Sequence, residues 1–396
     1  MRILIFAPNA GSSLSTGGGT AFVLRQARAF LEAGHKVALA GFHALPLEVL
    51  GQVSGIRLPS DTPIYSGRQN TSYFLFNTVP FKMSPYFALL HPNFPKWVRH
   101  SFLAFRPDMV WFHDDIPRAA IPYLKTCRVF LYVHFPLDAR SPLVCPPINF
   151  GRSMTESIQE SLLQKLSVVS GKGLVEELWE DIWCNSSVTL DAVKRIWGTS
   201  QGKIVPPHYV DYWPTRQPKD HLIASIGTIT RSKNYEMLIR AFEKFRRHSG
   251  GDWQLRIIGF SRERSLRVYL SHLIRSLGIS GSATITANAT REEVVATYSR
   301  ASIIAHPAIL EPFGISVLEG MAHGCYPLAL ETDWTGVWRD ILERGRWGTG
   351  FREADQLASV FYDLCGSDLS VKSELAVRRA SYYNPDLLSR LVGKLK

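Results

Sequence analysis

The strongest constraint in this sequence is a repeated grammar: short apolar runs alternate with amphipathic stretches, and the alternation breaks off and restarts near the middle of the chain. Residues Arg2–Phe6 read RILIF, the near-continuous apolar run of a strand buried on both faces. A turn-rich NAGSSLSTGGG follows closely. Over residues 20–33, TAFVLRQARAFLEA then puts Phe22, Val23, Ala27, Phe30 and Leu31 at helical spacing, and Gly34 stops the pattern. HKVALA, residues 35–40, reads as the next strand. Strand, glycine-rich loop, helix and strand form a right-handed βαβ unit. Apolar runs at residues 109–112 and 129–133 extend it into a doubly wound parallel sheet.

Residues 205–220, VPPHYVDYWPTRQPKD, are proline-rich and carry neither period, which marks a domain boundary. The same grammar then restarts: HLIASIG, YEMLIRAFEKFRRH, WQLRIIG, SLRVYLSHLIRSLG, ATITA, REEVVATYSRA, SIIAHPA, a helix from about Gly314, and CYPLALE. The expected organisation is an N-terminal domain over residues 1–205 and a second domain over 206–375. A C-terminal helix over 376–396 is expected to pack back on the first domain. The fold class is α/β, two Rossmann-like domains facing across a cleft. In such sheets ligands sit at the carboxyl ends of the strands.

At 396 residues, with 45% apolar and 20% charged side chains, the chain is globular and long enough for two cores. Its net charge of +11 calls for an anionic partner: nucleic acid, ligand phosphates or an acidic membrane surface. Five widely spaced cysteines without a C-x-x-C pair fit neither a disulfide framework nor a zinc knuckle, and are read as reduced core residues. The first ten residues lack the length and cleavage site of a signal peptide, and no window approaches ~20 uninterrupted apolar residues. The expected setting is cytoplasmic, peripheral on the cytosolic face of a membrane.

The most informative stretch is EPFGISVLEGMA, residues 311–322, directly after a strand. Gly314 and the helix beginning beside it offer free N–H groups and a positive dipole end, an anion site suited to a diphosphate. Glu311 can reach past that site to sugar hydroxyls, and Glu319 points from the helix toward a ribose. A carboxylate accepts two hydroxyl hydrogen bonds at once, as diol recognition requires.

Here the sequence resembles the family 4 retaining glycosyltransferases of the GT-B fold, whose hallmark is two glutamates separated by seven residues around a Phe-Gly core. The resemblance covers nearly the whole chain and implies an acceptor-side domain over residues 1–205 and a nucleotide-sugar-binding domain over 206–375. SIGTITRSKNYEMLIRAF is similar to the family's second-domain opening, in which Lys233 occupies the lysine position that neutralises the donor phosphates. Thr228 stands where an arginine often follows the glycine, and Arg231 is the base at hand to replace it. The resemblance implies a donor site of Gly18, Gly19, Arg231, Lys233, Phe313, Gly314, Ile315, Ser316 and Glu319, with His134, Glu311 and Lys233 as catalytic residues. His134 in LYVHFPL would contact the donor sugar, and His113 in VWFHDD is the alternative. The loop at residues 288–293, NATREE, would pass the nucleotide base.

YVHFPL, CNSSVTLDAVKRIWG with IVPPHYVD, and EPFGISVLEGMAHG together resemble the branch that adds α-1,2-linked mannose to lipid-linked oligosaccharides from GDP-mannose. Around Asn185, Ser186, Ser187 and Thr189 equally fit plain helix capping. ETDWTGVWRDIL replaces the more usual Gly-Gly-containing turn. Residues 72–105 interleave Phe74, Phe76, Phe81, Lys82, Tyr86, Phe87, Phe94, Lys96, Trp97, Arg99, Phe102 and Phe105, which suits either an acidic membrane surface or a packed helical insertion.

The expected partners are a nucleotide-sugar donor, with GDP-mannose favoured, a lipid-linked glycan acceptor, and the anionic membrane surface. No nucleic acid, cofactor or metal is expected, since no D-x-D motif or ligand cluster stands out. The resemblance implies a same-face substitution in which the leaving phosphate deprotonates the acceptor hydroxyl. The competing readings are a non-catalytic glycan-binding or scaffold subunit, and a transferase using a UDP-sugar and a soluble acceptor.

Overall fold

The computed structural model describes residues 1–7, 13–14, 18–68, 91–136, 180–207, 218–249, 251–261 and 264–384. The chain divides into two compact units, Met1–Pro207 and His208–Pro385.

In the first unit the order is β1 (Arg2–Phe6), β2 (Ser13–Leu14), α1 (Gly18–Glu32), β3 (Lys36–Ala44), α2 (Leu47–Ser54), β4 (Ile64–Arg68), α3 (Phe94–Phe105), β5 (Met109–His113), α4 (Ile121–Leu124), β6 (Arg128–Val133), β7 (Asp181–Cys184), α5 (Ser187–Trp197) and β8 (Lys203–Ile204). The sheet order is β2-β3-β1-β5-β6-β7-β8, with β4 also paired to β3, and the pairs are parallel. Winding reverses between β1 and β5, where the chain steps from one side of β1 to the other. The apolar runs are strands because both faces are covered: Trp111 meets Trp183 edge-on at 4.7 Å on one, and Phe6 stacks on Phe112 at 4.9 Å on the other. Each such ring contributes roughly 1.5–3 kcal/mol by leaving water.

For the described part of the aromatic–basic stretch, the packed helix is the reading that holds. In α3, Phe94, Trp97, Phe102 and Phe105 are buried in the core, with Phe6 set edge-on to Trp97 at 5.8 Å, so they cannot form a membrane-facing surface. Their spacing is helical, and the apolar stripe faces the sheet while Lys96 and Arg99 face solvent. Phe74, Phe76, Phe81, Lys82, Tyr86 and Phe87 lie outside the described residues.

The second unit runs β9 (Asp220–Ile226), α6 (Tyr235–Ser249), β10 (Gln254–Gly259), α7 (Arg264–Ser276), β11 (Ala283–Ala287), α8 (Arg291–Arg300), β12 (Ala301–His306), α9 (Ile315–Ala322), β13 (Tyr326–Leu330), β14 (Thr349–Phe351), α10 (Ala354–Cys365) and α11 (Ser370–Ser381). Its parallel sheet has the order β11-β10-β9-β12-β13-β14, the doubly wound 3-2-1-4-5-6 arrangement. The α6 stripe of Leu238, Ile239, Phe242 and Phe245 packs with Leu357, Phe361 and Leu364 of α10. Residues 376–384 complete α11 and its exit, and Ala376, Ala380 and Tyr383 are buried with Phe313 and Val317 in the second unit's own core. Residues 385–396 lie outside the described residues, as does Cys145. Cys184 and Cys325 are buried free thiols, pushed up by burial to about 12 and about 11.

Candidate functional site

Ligands of an open parallel sheet bind beyond the carboxyl ends of its strands, where the winding reverses. In the second unit that point lies between β9 and β12. The chain leaves β9 through Gly227 and Thr228 into a 3-10 turn, Arg231–Lys233, ended by Asn234 in the left-handed region at φ 52°. It leaves β12 through residues 307–314. The two exits are tied together, since Ile309 N–H donates to the Ser232 carbonyl at 2.8 Å.

Across this tie Lys233 Nζ forms an ion pair with Glu311 Oε2, and the two side chains are only 13% and 19% exposed. Burial pushes the Glu311 carboxyl up, but Lys233, His306 and the Phe313 N–H together pull it below the ordinary range, so it is an anion. The Glu311 backbone is fixed from both sides. Its N–H donates to the Trp334 carbonyl at 3.2 Å, and its carbonyl accepts from Gly336 N–H at 2.8 Å. The unusual ETDWTGVWRDIL segment thus serves as the brace that aims Glu311.

Gly314 sits at φ 105°, and a Cβ there would lie 2.2 Å from Val337 Cγ2, so the turn into α9 requires glycine. The α9 start has no side-chain cap. Its first amides and dipole are directed at the region beyond β12.

The remaining residues of the expected donor site separate by environment. Ile315 and Ser316 are half-buried in the first turn of α9, whereas Phe313 is buried in the core, edge-on to Tyr383 at 5.7 Å, and faces a ligand only through its backbone. Glu319 is buried and already engaged: Arg291 donates to its two oxygens at 3.0 and 2.6 Å, and Tyr298 Oη at 3.2 Å. Arg291 opens α8 immediately after the NAT turn, which is held by a capping box between Thr290 and Glu293. Arg231 is exposed in the same turn as Lys233, and Thr228 is exposed.

In the first unit the corresponding loops carry histidines. His113, the last residue of β5, is fully buried; its Nδ1 is 2.9 Å from His134 Nε2 and its Nε2 is 2.9 Å from Gln26 Oε1 of α1. With the Gln26 oxygen accepting from His113 Nε2–H, His113 Nδ1 accepts from His134 Nε2–H. Burial, and then the neighbouring His134, hold His113 well below its ordinary pKa, so it is neutral. The His134 backbone is pinned too. Its N–H donates to Asp114 Oδ1 at 2.7 Å, and its carbonyl accepts from Asn185 Nδ2 at 2.7 Å and Thr189 Oγ1 at 3.0 Å. Ser186 is the helix cap, accepting from Thr189 N–H. Gly18 and Gly19 form the first turn of α1, and Gly17 lies outside the described residues.

Sequence reasoning missed His306, Gln26 and Asp114. His306 had a visible signal, a histidine closing the otherwise apolar run SIIAH. Gln26 had none, being one polar residue in an amphipathic helix. A cavity at the opposite, amino-terminal ends of β9 and β10 is lined by Asp220, His221, Asp252 and Arg300, which engage one another: Arg300 pairs with Asp220, and His221 hydrogen-bonds Asp252. Among the described residues no helix is long and apolar enough to cross a membrane.

Residues 214–358 match the model of the family described as Glycosyl transferases group 1. Over 230 residues the chain is 30% identical to the mouse GDP-Man:Man(3)GlcNAc(2)-PP-Dol alpha-1,2-mannosyltransferase, a match covering 52% of this chain and 47% of that protein, and the human protein matches equally. The chain spans about half the length of the curated relatives it matches. Among solved structures, a sucrose-phosphate synthase from Thermosynechococcus elongatus superposes with a TM-score of 0.75 at 15% identity, covering 100% of this chain and 98% of that one. WaaG, a glycosyltransferase involved in lipopolysaccharide biosynthesis, gives 0.68 at 13%, covering 99% of each chain. At those identities what is shared is the fold. Residues 214–358 are thus similar to glycosyl transferases group 1, and the two Rossmann-like units share the fold of these glycosyltransferase structures.

Proposed function

We propose that this protein is a retaining glycosyltransferase that moves a hexose, mannose from GDP-mannose, onto a lipid-linked glycan. The observation that carries the proposal is the Lys233–Glu311 pair at the second unit's switch point, beside the start of α9. A departing nucleoside diphosphate gathers negative charge, and a lysine with an oriented helix start stabilises that charge in a largely buried site. These groups supply the positive charge the leaving group needs, so the mechanism calls for no metal ion.

Glu311 takes Lys233 at Oε2 and keeps lone pairs on both oxygens to accept sugar hydroxyls. Ile315 and Ser316 offer backbone and hydroxyl donors to phosphate, and Arg231 adds a solvent-facing charge in the place of the arginine absent at Thr228. Glu319 receives the ribose by exchanging an Arg291 hydrogen bond for a ribose hydroxyl. In the first unit His134, just beyond the end of β6, contacts the donor sugar. Retention follows a same-face substitution, with the leaving phosphate taking the acceptor's proton. Mannose, GDP and the lipid-linked acceptor are supported by the printed activity of the mouse and human relatives. Contact with an anionic membrane surface is supported by the net charge of +11.

The test is incubation with radiolabelled GDP- and UDP-sugars and a membrane lipid extract. Transfer from GDP-mannose into the lipid fraction, lost in Glu311→Ala, is the expected result. No transfer or hydrolysis from any donor, with Glu311→Ala indistinguishable from the parent, overturns it. Transfer from a UDP-sugar to a water-soluble product would replace both donor and acceptor.

A further inference from the structure

β12 consists of Ala301, Ser302, Ile303, Ile304 and Ala305 and ends in His306, which is 4% exposed. The mechanism above does not use this imidazole. Its Nε2 is buried and has no hydrogen-bond partner among the described residues. Such groups are uncommon in folded proteins and point to a ligand or a water. Nε2 lies 3.9 Å from Glu311 Oε2, too far for a hydrogen bond and too close for an unrelated neighbour.

Burial, followed by the Lys233 charge, lowers the His306 pKa to about 3, so the ring is neutral at working pH. The Glu311 carboxylate favours the tautomer with the proton on Nε2, facing it. An oxygen about 2.8 Å from both atoms would span the gap at an angle of about 90°. That oxygen must accept from Nε2–H and donate to a carboxylate. A hydroxyl does both, a carbonyl cannot donate, and a phosphate oxygen would be repelled by Glu311. Glu311 Oε2 has a second lone pair for it beside the Lys233 contact.

We propose that one hydroxyl of the transferred sugar is held jointly by His306 Nε2 and Glu311, which makes His306 a specificity-determining residue. The proposal rests on the glycosyltransferase reading and deepens it, by making selection of the sugar depend on one neutral donor beside one anion.

The experiment measures kcat and KM for GDP-mannose and its 2-, 3-, 4- and 6-deoxymannose analogues with the parent, His306→Ala and His306→Asn. For the parent, one analogue is expected to lose about 10–100-fold in kcat/KM. His306→Ala is expected to lose a similar factor with GDP-mannose and little more with that analogue, because both changes remove the same contact. Equal further losses with every analogue in His306→Ala overturn the proposal and leave a bound water as the occupant.

A second measurement does not need turnover. In protein carrying ¹⁵N-labelled histidine, the His306 Nε2 resonance should shift on adding GDP-mannose and remain in place with GDP alone. No shift with GDP-mannose, or the same shift with GDP, overturns the proposal. A parent protein with no turnover on any donor would sink the proposed function, while the resonance would still decide the fate of His306.

Discussion

In the first unit the loops beyond β5 and β6 gather His113, His134 and Asp114, with Gln26 reaching in from α1; in the second the loops beyond β9 and β12 gather Lys233 and Glu311 beside His306. The two sheets are wound alike, and both sets of residues lie where strand order reverses. The first is a run of hydrogen bonds through His134, the neutral His113 and the Gln26 amide, with Asp114 pinning the His134 backbone. The second is a charged pair held against burial. The scaffold therefore fixes where chemistry can happen, and the loop residues decide which chemistry: orientation of a neutral group in one unit, a local electric field in the other.

The sharpest test of this contrast sets Lys233→Ala against His134→Ala. Removing the field should cost about 10²–10³-fold in kcat, while removing the hydrogen-bonding His134 ring should cost about tenfold. Steady-state kinetics on both variants check this, and equal losses would break the contrast.

Next in size is Gly314→Ala, which forces a side chain into a left-handed turn and against Val337. The expected loss is about 2–3 kcal/mol in urea denaturation. A loss within 0.5 kcal/mol would mean that the turn into α9 tolerates rearrangement.

The third prediction concerns acid. His306 has its ordinary pKa of 6.5 when unfolded and about 3 when folded, so the unfolded state binds more protons between those values. The stability it contributes is complete above about pH 6.5 and is lost as pH falls toward 3; between pH 7 and 5 the loss is about 2 kcal/mol. Glu311, held against burial below the ordinary carboxylate range chiefly by Lys233, acts below this window. His306→Asn should flatten the dependence of urea denaturation between pH 7 and 5 by that amount. An unchanged slope would assign the acid sensitivity to His113, the other buried neutral histidine, and so move it to the first unit.

The smallest expected effect is that of Asn185→Ala. It removes one hydrogen bond from the His134 carbonyl while Thr189 keeps the other, so stability should fall by about 1 kcal/mol. A twofold or smaller change in kcat is expected alongside it. A much larger kinetic loss would show that the neutral site depends on exact placement as strongly as the charged one depends on its field.

The fold was largely legible, because strands buried on both faces must be apolar throughout and their helices must show one apolar stripe. RILIF, HLIASI and SIIAH announce themselves this way, as does the glycine at 314. The same logic left α3 open, since aromatic rings among lysines and arginines suit a membrane surface as well as a core. Only the helix's orientation on the sheet separates the two, and residues 94–105 turn their rings inward.

By itself the sequence determined that two parallel α/β units form, and that Lys233 and Glu311 lie on loops beyond strands, since strand order and loop position follow from local patterns. Only the tertiary structure decided that these two side chains meet, that Arg291 occupies Glu319, and that His306 stands unpartnered beside Glu311. Those contacts join residues 78, 28 and 5 positions apart. They arise from the winding of the sheet and the path of its loops, which no periodicity in the chain encodes.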